Sequence, residues 1–267
     1  AKPFMMPGYY EQYMKWKDLK MEIGETYHVK PHKMVLDCNQ KFQKQVKLAV
    51  DDALENYVCG YPFANEEIKD GDPKAGIKAA WNYDKRWYWR GYYVRNALAT
   101  WLRFGGTHTA PEPEMPPEAW RGNEYGVKPE DWKYDTAAIY GGGGKFERSL
   151  GCFYHRAYYS HLPMFEKSNY QLPEMADAAE VYWKEFTGFF SPFDVRGAAF
   201  IITRYNDPRR ADDGWAYVPS LRRVRRISTE IKSDSLMGTK HTLEDFYSFS
   251  GRPLEWNWKF HGWKDML

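Results

Sequence analysis

The spacing of turn signals in the last third of the chain constrains the fold more than any other feature. Residues 194–205 (Asp-Val-Arg-Gly-Ala-Ala-Phe-Ile-Ile-Thr-Arg-Tyr) read as one strand, and Asn206-Asp207-Pro208 makes a turn. Trp215-Ala216-Tyr217-Val218 reads as the next strand, Pro219-Ser220 as the next turn, and residues 222–227 resume. Strands joined this closely pair antiparallel, because a parallel crossover needs a dozen or more residues. Upstream, residues 87–104 are dominated by aromatic and β-branched types and read as one long strand or two joined at Gly91; residues 146–159 read as another. Near the end, Leu254, Trp256, Trp258 and Phe260 alternate with Glu255, Asn257, Lys259 and His261, the period of a strand with one buried and one wet face. There is no βαβ alternation, which argues against a doubly wound or barrel enzyme fold.

Helices are few. Asn39 is placed to cap a helix over 40–57, with Phe42, Val46, Ala49, Ala53 and Tyr57 on one stripe and Gly60 as its stop. Asp72-Pro73 opens a second helix that runs to about 81–82. A third is expected over 173–187, where Leu172, Met175, Ala176, Ala179, Tyr182, Trp183 and Phe186 make an apolar face wide enough to lie across a sheet. Residues 105–131 carry five prolines behind Gly105-Gly106 and read as a surface excursion. Gly141 to Gly144 read as a hinge between strands, since no Lys-Ser/Thr and helix follow to make a phosphate loop.

With 267 residues and 43% hydrophobic content the chain can bury a full core. Its 12 Trp, 21 Tyr and 15 Phe admit two readings, large cores with half-buried strands or a cavity lined for a ligand. A formal net charge of +2 argues against a nucleic-acid binder, and no run approaches the length of a membrane span. The start Ala1-Lys2-Pro3 is what removal of a signal peptide leaves, so an exported protein is expected. Of three cysteines, Cys38 and Cys59 flank one helical segment and are able to pair, and Cys152 is left over.

Chemical motifs are sparse. The nucleophile-elbow, zinc-protease and dinucleotide signatures are all missing. His28 and His32 stand four apart, but Pro31 disrupts the helix that would make them joint ligands, so no metal and no cofactor are expected. The carboxylate doublets Asp51-Asp52, Glu66-Glu67 and Asp212-Asp213 are adjacent in sequence and read as solvated, so no catalytic residue is assigned. The most unusual constellation runs from Asp207 to Arg226. Arg222 and Arg226 share one face of a strand and Arg223 and Arg225 the other. Either these arginines pair with Asp207, Asp212 and Asp213 across the hairpin, or they form a docking site for an anionic head group or partner.

At this segment the sequence resembles a bacterial domain family of unknown function likened to outer-membrane lipoprotein-sorting proteins. The resemblance rests on Gly60-Tyr61-Pro62-Phe63, Lys78-Ala79-Ala80-Trp81-Asn82-Tyr83, Asp194-Val195-Arg196-Gly197, Tyr205 to Pro208, Asp212 through Arg226, Gly238-Thr239, Asp245-Phe246 and Trp258 to Leu267. It covers the chain from about residue 55 onward. It implies an α+β, sheet-dominated fold: a strongly curved antiparallel sheet, an incomplete β-barrel, covered by helices around an apolar cavity for acyl chains. Members of the family continue past the segment that ends here at Met266-Leu267, so a shortened or partial chain is part of the expectation. The expected organisation is a single lipoprotein-carrier-like domain over 1–267, with 1–57 as a helical extension.

The expected function is a periplasmic, non-catalytic carrier for lipid, lipoprotein or other hydrophobic cargo. Trp215, Tyr217, Trp256, Trp258 and Trp183 are the groove candidates. An inner-membrane lipid exporter and an outer-membrane protein are the expected partners. The alternatives are an interaction subunit of an envelope assembly without a small ligand and, third, an enzyme acting on glycans or lipids.

Overall fold

The structure, a computed structural model, describes residues 2–15, 20, 22, 24, 30–103, 145–229, 235 and 242–264. Among the described residues three α-helices, α1 (Pro7–Lys15), α2 (Lys33–Phe42) and α3 (Ala75–Asp84), accompany a small hairpin of β1 (Lys47–Leu48) and β2 (Leu54–Glu55). The body is a six-stranded antiparallel sheet: β3 (Gly91–Arg103), β4 (Lys145–Tyr158), β5 (Val181–Ser191), β6 (Ala199–Tyr205), β7 (Asp213–Val218) and β8 (Arg223–Ile227). The strands pair in chain order, so the sheet is an open meander with β3 and β8 at its edges. The α+β, sheet-dominated class read from the sequence is the class observed, and the strands around 87–104, 146–159, 194–205, 215–218 and 222–227 lie within a few residues of their expected places.

Three elements differ, each for a local reason. The helix expected over 40–57 lies earlier, over Lys33–Phe42. His32 caps it, its ring Nδ1 accepting from the Met34 N–H. Downstream, Asp51 accepts from the Ala53 N–H and Asp52 adopts φ 66°, a tight turn that closes the β1–β2 hairpin where the helix was expected. Asn39, expected as an N-cap, sits inside α2 and accepts from the Tyr61 N–H at 2.8 Å. Gly60 follows at φ 83°, where a Cβ would stand 2.2 Å from the Asn39 side-chain Oδ1. The Cys38–Cys59 disulfide is formed beside this contact.

The expected helix over 173–187 is replaced by turns and by strand β5. Nine of the eleven residues of β5 are buried. A strand covered on both faces reads as a continuous apolar run, which a helical stripe also matches over so short a window. The third difference is the alternating segment 254–260. Pro253 starts a short 3-10 turn (Pro253–Glu255), and the chain then crosses α3 as an extended but unpaired segment. Its alternation serves packing on a helix. Trp258 joins the cluster of Val46, Phe63, Ile77, Ala80 and Trp81. The backbone of 258–259 passes so close to α3 that a Cβ on Gly76 would lie 2.6 Å from the Trp258 carbonyl oxygen. The Pro-rich stretch 105–131 and the glycine run 141–144 lie outside the described residues, as does His28.

The largest core cluster brings Tyr158, Tyr159 and Leu162 at the end of β4 against Leu172, Val181, Tyr182, Trp183 and Ile202. α3 and residues 242–258 lie over one face of the sheet, the covered face. The opposite face is exposed at His155 in β4 and along β6 to β8, at Ile201, Trp215, Tyr217, Val224 and Arg226, and is largely buried along β5.

Candidate functional site

The two faces of the sheet are chemically unlike. On the covered face, strand alternation points Tyr154, Arg156, Trp183, Glu185 and Arg204 toward α3 and the 242–258 segment. Arg156 and Glu185 are both almost fully buried, at 4% and 6% exposure. The Glu185 carboxylate accepts from Arg156 Nε at 2.8 Å, from Arg156 Nη2 and from the Tyr154 hydroxyl. Arg204 makes a forked pair with Asp212, with Nη2–O at 2.8 Å and Nε–O at 3.2 Å. The two guanidiniums lie 4.2 Å and 4.7 Å from the Trp183 ring centre, so the indole is held between cations.

The overlying segment is tied to this layer. Arg156 donates to Ser250 Oγ, Arg204 donates to the Gly251 carbonyl, and Tyr92 and Tyr247 join hydroxyls. Lys85 is buried beside Asp84 with its ammonium 3.4 Å from the Tyr182 ring centre, and desolvation pulls its pKa below the usual lysine range. The space left among Asp84, Arg156, Trp183, Arg204 and Tyr247 is about 10 Å³, the size of one water. Among the described residues this ionic layer is closely filled. Burial pushes the pKa values of Tyr154, Tyr158 and Tyr247 upward, away from proton exchange at neutral pH.

The open face carries a continuous row of side chains, one from each strand in direct register: Tyr93, His155, Phe186, Ile201, Trp215 and Arg226. At the usual strand spacing the row is about 24 Å long. A second row beside it runs Phe153, Gly188, Ala199, Tyr217 and Val224. The Phe153 ring lies over Gly188, where a Cβ would come within 2.5 Å of it, so the missing side chain is covered by a neighbouring ring. Ile201 and Trp215 are 42% and 44% exposed. At the β3–β4 end of this face lies a cleft of about 740 Å³, walled by Tyr93, His155, Ala157 and Tyr159 from the sheet and by Leu172 and Met175 from the β4–β5 connection. Arg90, paired with Glu174, stands at its rim. Desolvation holds the His155 pKa below its usual value, so the ring is neutral at pH 7 and the cleft wall is uncharged there.

Comparison with protein families places the chain. The family described as "Protein of unknown function (DUF1329)" matches residues 2–113 and 111–267, nearly the whole sequence. The chain belongs to the DUF1329 family. No curated protein matches it. Among solved structures it is similar to a domain from Vibrio parahaemolyticus, provisionally described as an outer membrane lipoprotein-sorting protein domain, at 26% identity and a TM-score of 0.29, over 40% of this chain and 36% of that one. It is also similar to a DUF1329 family protein from Desulfovibrio piger at 22% identity and a TM-score of 0.30, over 42% of this chain and 39% of that one. The chain thus spans well under half the length of either.

The residues singled out from the sequence of this DUF1329 chain fall in three places. Trp215 and Tyr217 lie on the open face, outside the cleft wall. Trp183 is 3% exposed and sits in the ionic layer of the covered face, so it lines no vacant groove. Trp256 and Trp258 lie over α3, beside a smaller hollow of about 250 Å³ shared with Asp51, Asp52 and Lys74. Of the strand arginines, Arg226 pairs with Asp213; Arg222, Arg223 and Arg225 are exposed and meet no carboxylate among the described residues. Asp212 pairs instead with Arg204 of the neighbouring strand, and Asp207 with Arg209 at 3.7 Å. His32 is a helix cap.

The cleft residues Tyr93, His155, Leu172 and Met175 and the row member Phe186 escaped the sequence reading. Leu172, Met175 and Phe186 fall on the apolar stripe of the helix expected over 173–187, which hides their separate places in the sheet and its connection. The register that aligns the row was not readable before the strands were paired.

Proposed function

We propose that this protein binds a hydrophobic small molecule or lipid, without covalent chemistry, in the open-face cleft, and acts as a carrier in the cell envelope. The observation that carries the reading is the contrast between the faces. One is filled by paired charges and tyrosines, and the other holds a roomy, mainly apolar cleft that continues into an aromatic row. A cavity of this volume and lining suits a drug-sized or single-chain lipid ligand. Each methylene buried in it contributes roughly 0.8 kcal/mol, so ten of them supply about 8 kcal/mol before the cost of association is subtracted. The Cys38–Cys59 disulfide supports an oxidising compartment such as the periplasm. A carrier there would receive cargo from an inner-membrane exporter and pass it toward an outer-membrane protein.

Titration with cis-parinaric acid, followed by energy transfer from tryptophan and by displacement with palmitate, tests the reading. Saturable binding at one site per chain is expected. Met175→Glu, a change at a partly exposed position, puts a carboxylate on the cleft wall and should weaken binding about tenfold or more. Absence of saturable binding, or equal binding by wild type and the variant, would remove the cleft from consideration. Turnover of an ester-linked probe would refute the non-catalytic part of the proposal.

A further inference from the structure

A second surface lies at the other end of the strands, apart from the cleft. The β5–β6 connection and the β7–β8 turn emerge at the same end of the sheet, and they touch: a Cβ at Gly197 would lie 3.5 Å from the Pro219 ring. Each presents a large apolar side chain to solvent. Phe193 in the first is 81% exposed, and Leu221 in the second is 47% exposed. Val224, three residues farther on, is 64% exposed near the start of the edge strand.

Arg222 stands at the tip of the turn beside Leu221, and Arg223 and Arg225 flank Val224 along the edge strand on the opposite face; all three are exposed, with no carboxylate partner among the described residues. Arg222 takes φ 48° at the tip of the turn, a conformation uncommon for a side chain of this size. The single carboxylate in the two turns, Asp194, is itself engaged.

Cations alone have an ordinary explanation, since charge on an edge strand discourages pairing with other sheets. That explanation gives no reason for three large apolar groups at the same corner, which cost solubility. Protruding apolar side chains at a strand end, with arginines at the turn tip and along the edge strand behind it, suit an interface where tails and anionic head groups meet, the apolar groups entering the boundary and the guanidiniums meeting phosphate. Tyr217, paired with Val224 and 38% exposed, adds an aromatic ring at the level where such rings collect at membrane surfaces.

We infer that this corner, built from Phe193, Leu221, Val224, Arg222, Arg223 and Arg225, docks the protein peripherally on an anionic lipid bilayer. The inference goes beyond the cleft reading and does not depend on it.

Co-sedimentation of the whole chain with vesicles tests it. Wild type is expected to bind vesicles of phosphatidylcholine containing about a third phosphatidylglycerol, to bind pure phosphatidylcholine far less, and to lose binding as salt rises over roughly 0.05–0.5 M. Removing three cations in Arg222→Gly/Arg223→Ser/Arg225→Ser should lower the partition coefficient on the order of a hundredfold, about fivefold for each arginine near the surface. Glycine at 222 suits the backbone there, so that change alone should not unfold the turn.

Phe193→Ser/Leu221→Ser should weaken binding while keeping its salt dependence, and it serves as the second arm if the arginine variant does not fold, as judged by circular dichroism. Wild type that ignores anionic vesicles would overturn the inference. So would variants that bind as wild type does, or capture of soluble poly-glutamate in preference to vesicles, which would make the corner a site for an acidic protein. Met175→Glu should leave vesicle binding unchanged, which separates this result from failure of the cleft.

Discussion

Glu185 offers the sharpest test of the view that the covered face is a structural filling. Its carboxylate is buried and accepts three hydrogen bonds, two from Arg156 and one from Tyr154. In Glu185→Leu the Arg156 guanidinium stays buried with only Ser250 at 3.1 Å, Tyr158 at 3.5 Å and two aromatic faces for company. An uncompensated buried charge of this kind costs about 3–5 kcal/mol.

Glu185→Leu/Arg156→Met removes both charges and keeps apolar volume in place. It should lie within about 1 kcal/mol of wild type, or above it, giving a coupling energy of at least about 2 kcal/mol. Guanidinium denaturation at pH 7, followed by far-ultraviolet circular dichroism and tryptophan fluorescence, measures the two single variants, Glu185→Leu and Arg156→Met, and the double variant. A single substitution costing under about 1 kcal/mol, or a double one as costly as the sum of its parts, would refute the reasoning. The folded double variant should also bind cis-parinaric acid as wild type does; loss of binding would move the site to the covered face.

Two further outcomes follow from features away from the sheet centre. Cys38→Ala/Cys59→Ala opens a loop of sequence separation 21, and the chain-entropy relation puts the loss at about 3 kcal/mol, read as a lower denaturation midpoint with an unchanged profile for reduced and unreduced variant. His161 is half-buried against Tyr57 and Tyr182, its Nδ1 2.8 Å from the Val58 carbonyl, and desolvation lowers its pKa from 6.5 to about 4. The folded state therefore resists a proton that the unfolded chain accepts. The contribution is fully present above pH 6.5 and is lost as pH falls toward 4, up to about 3 kcal/mol at 1.36 kcal/mol per pH unit. The difference in stability between wild type and His161→Gln should change with that sign across pH 4–6.5; a difference constant over this range would exclude the histidine as its source.

Much of the sheet was legible because its turns carry their own chemistry. Asn206-Asp207-Pro208 and Pro219-Ser220 stop strands whatever surrounds them, so β6, β7 and β8 could be placed from local residues alone. Where local patterns are shared between conformations, tertiary packing decided. In β5 burial on both faces imitates a helical stripe, and over 254–260 contact with α3 imitates a ladder. The site was less legible than the fold. Trp183 stood out as a large aromatic, but the arginines on either side of it come from positions 27 residues upstream and 21 downstream, and only strand pairing brings them there. The arginine strand was visible as a cluster. Which arginines would find carboxylates depended on the pleat, since Asp213 shares a face with Arg226, while Asp212 turns inward to Arg204.

The open-face row also ties use of the surface to the integrity of the whole sheet. Each strand lends it a single side chain, so the stripe exists only while all five pairings keep step. A slip of one residue between any two strands would swing that strand's contribution through to the other side and cut the stripe in two. A molecule lying along it would act as a stitch through six layers of backbone, and hydrogen exchange should slow together in all six strands when it binds.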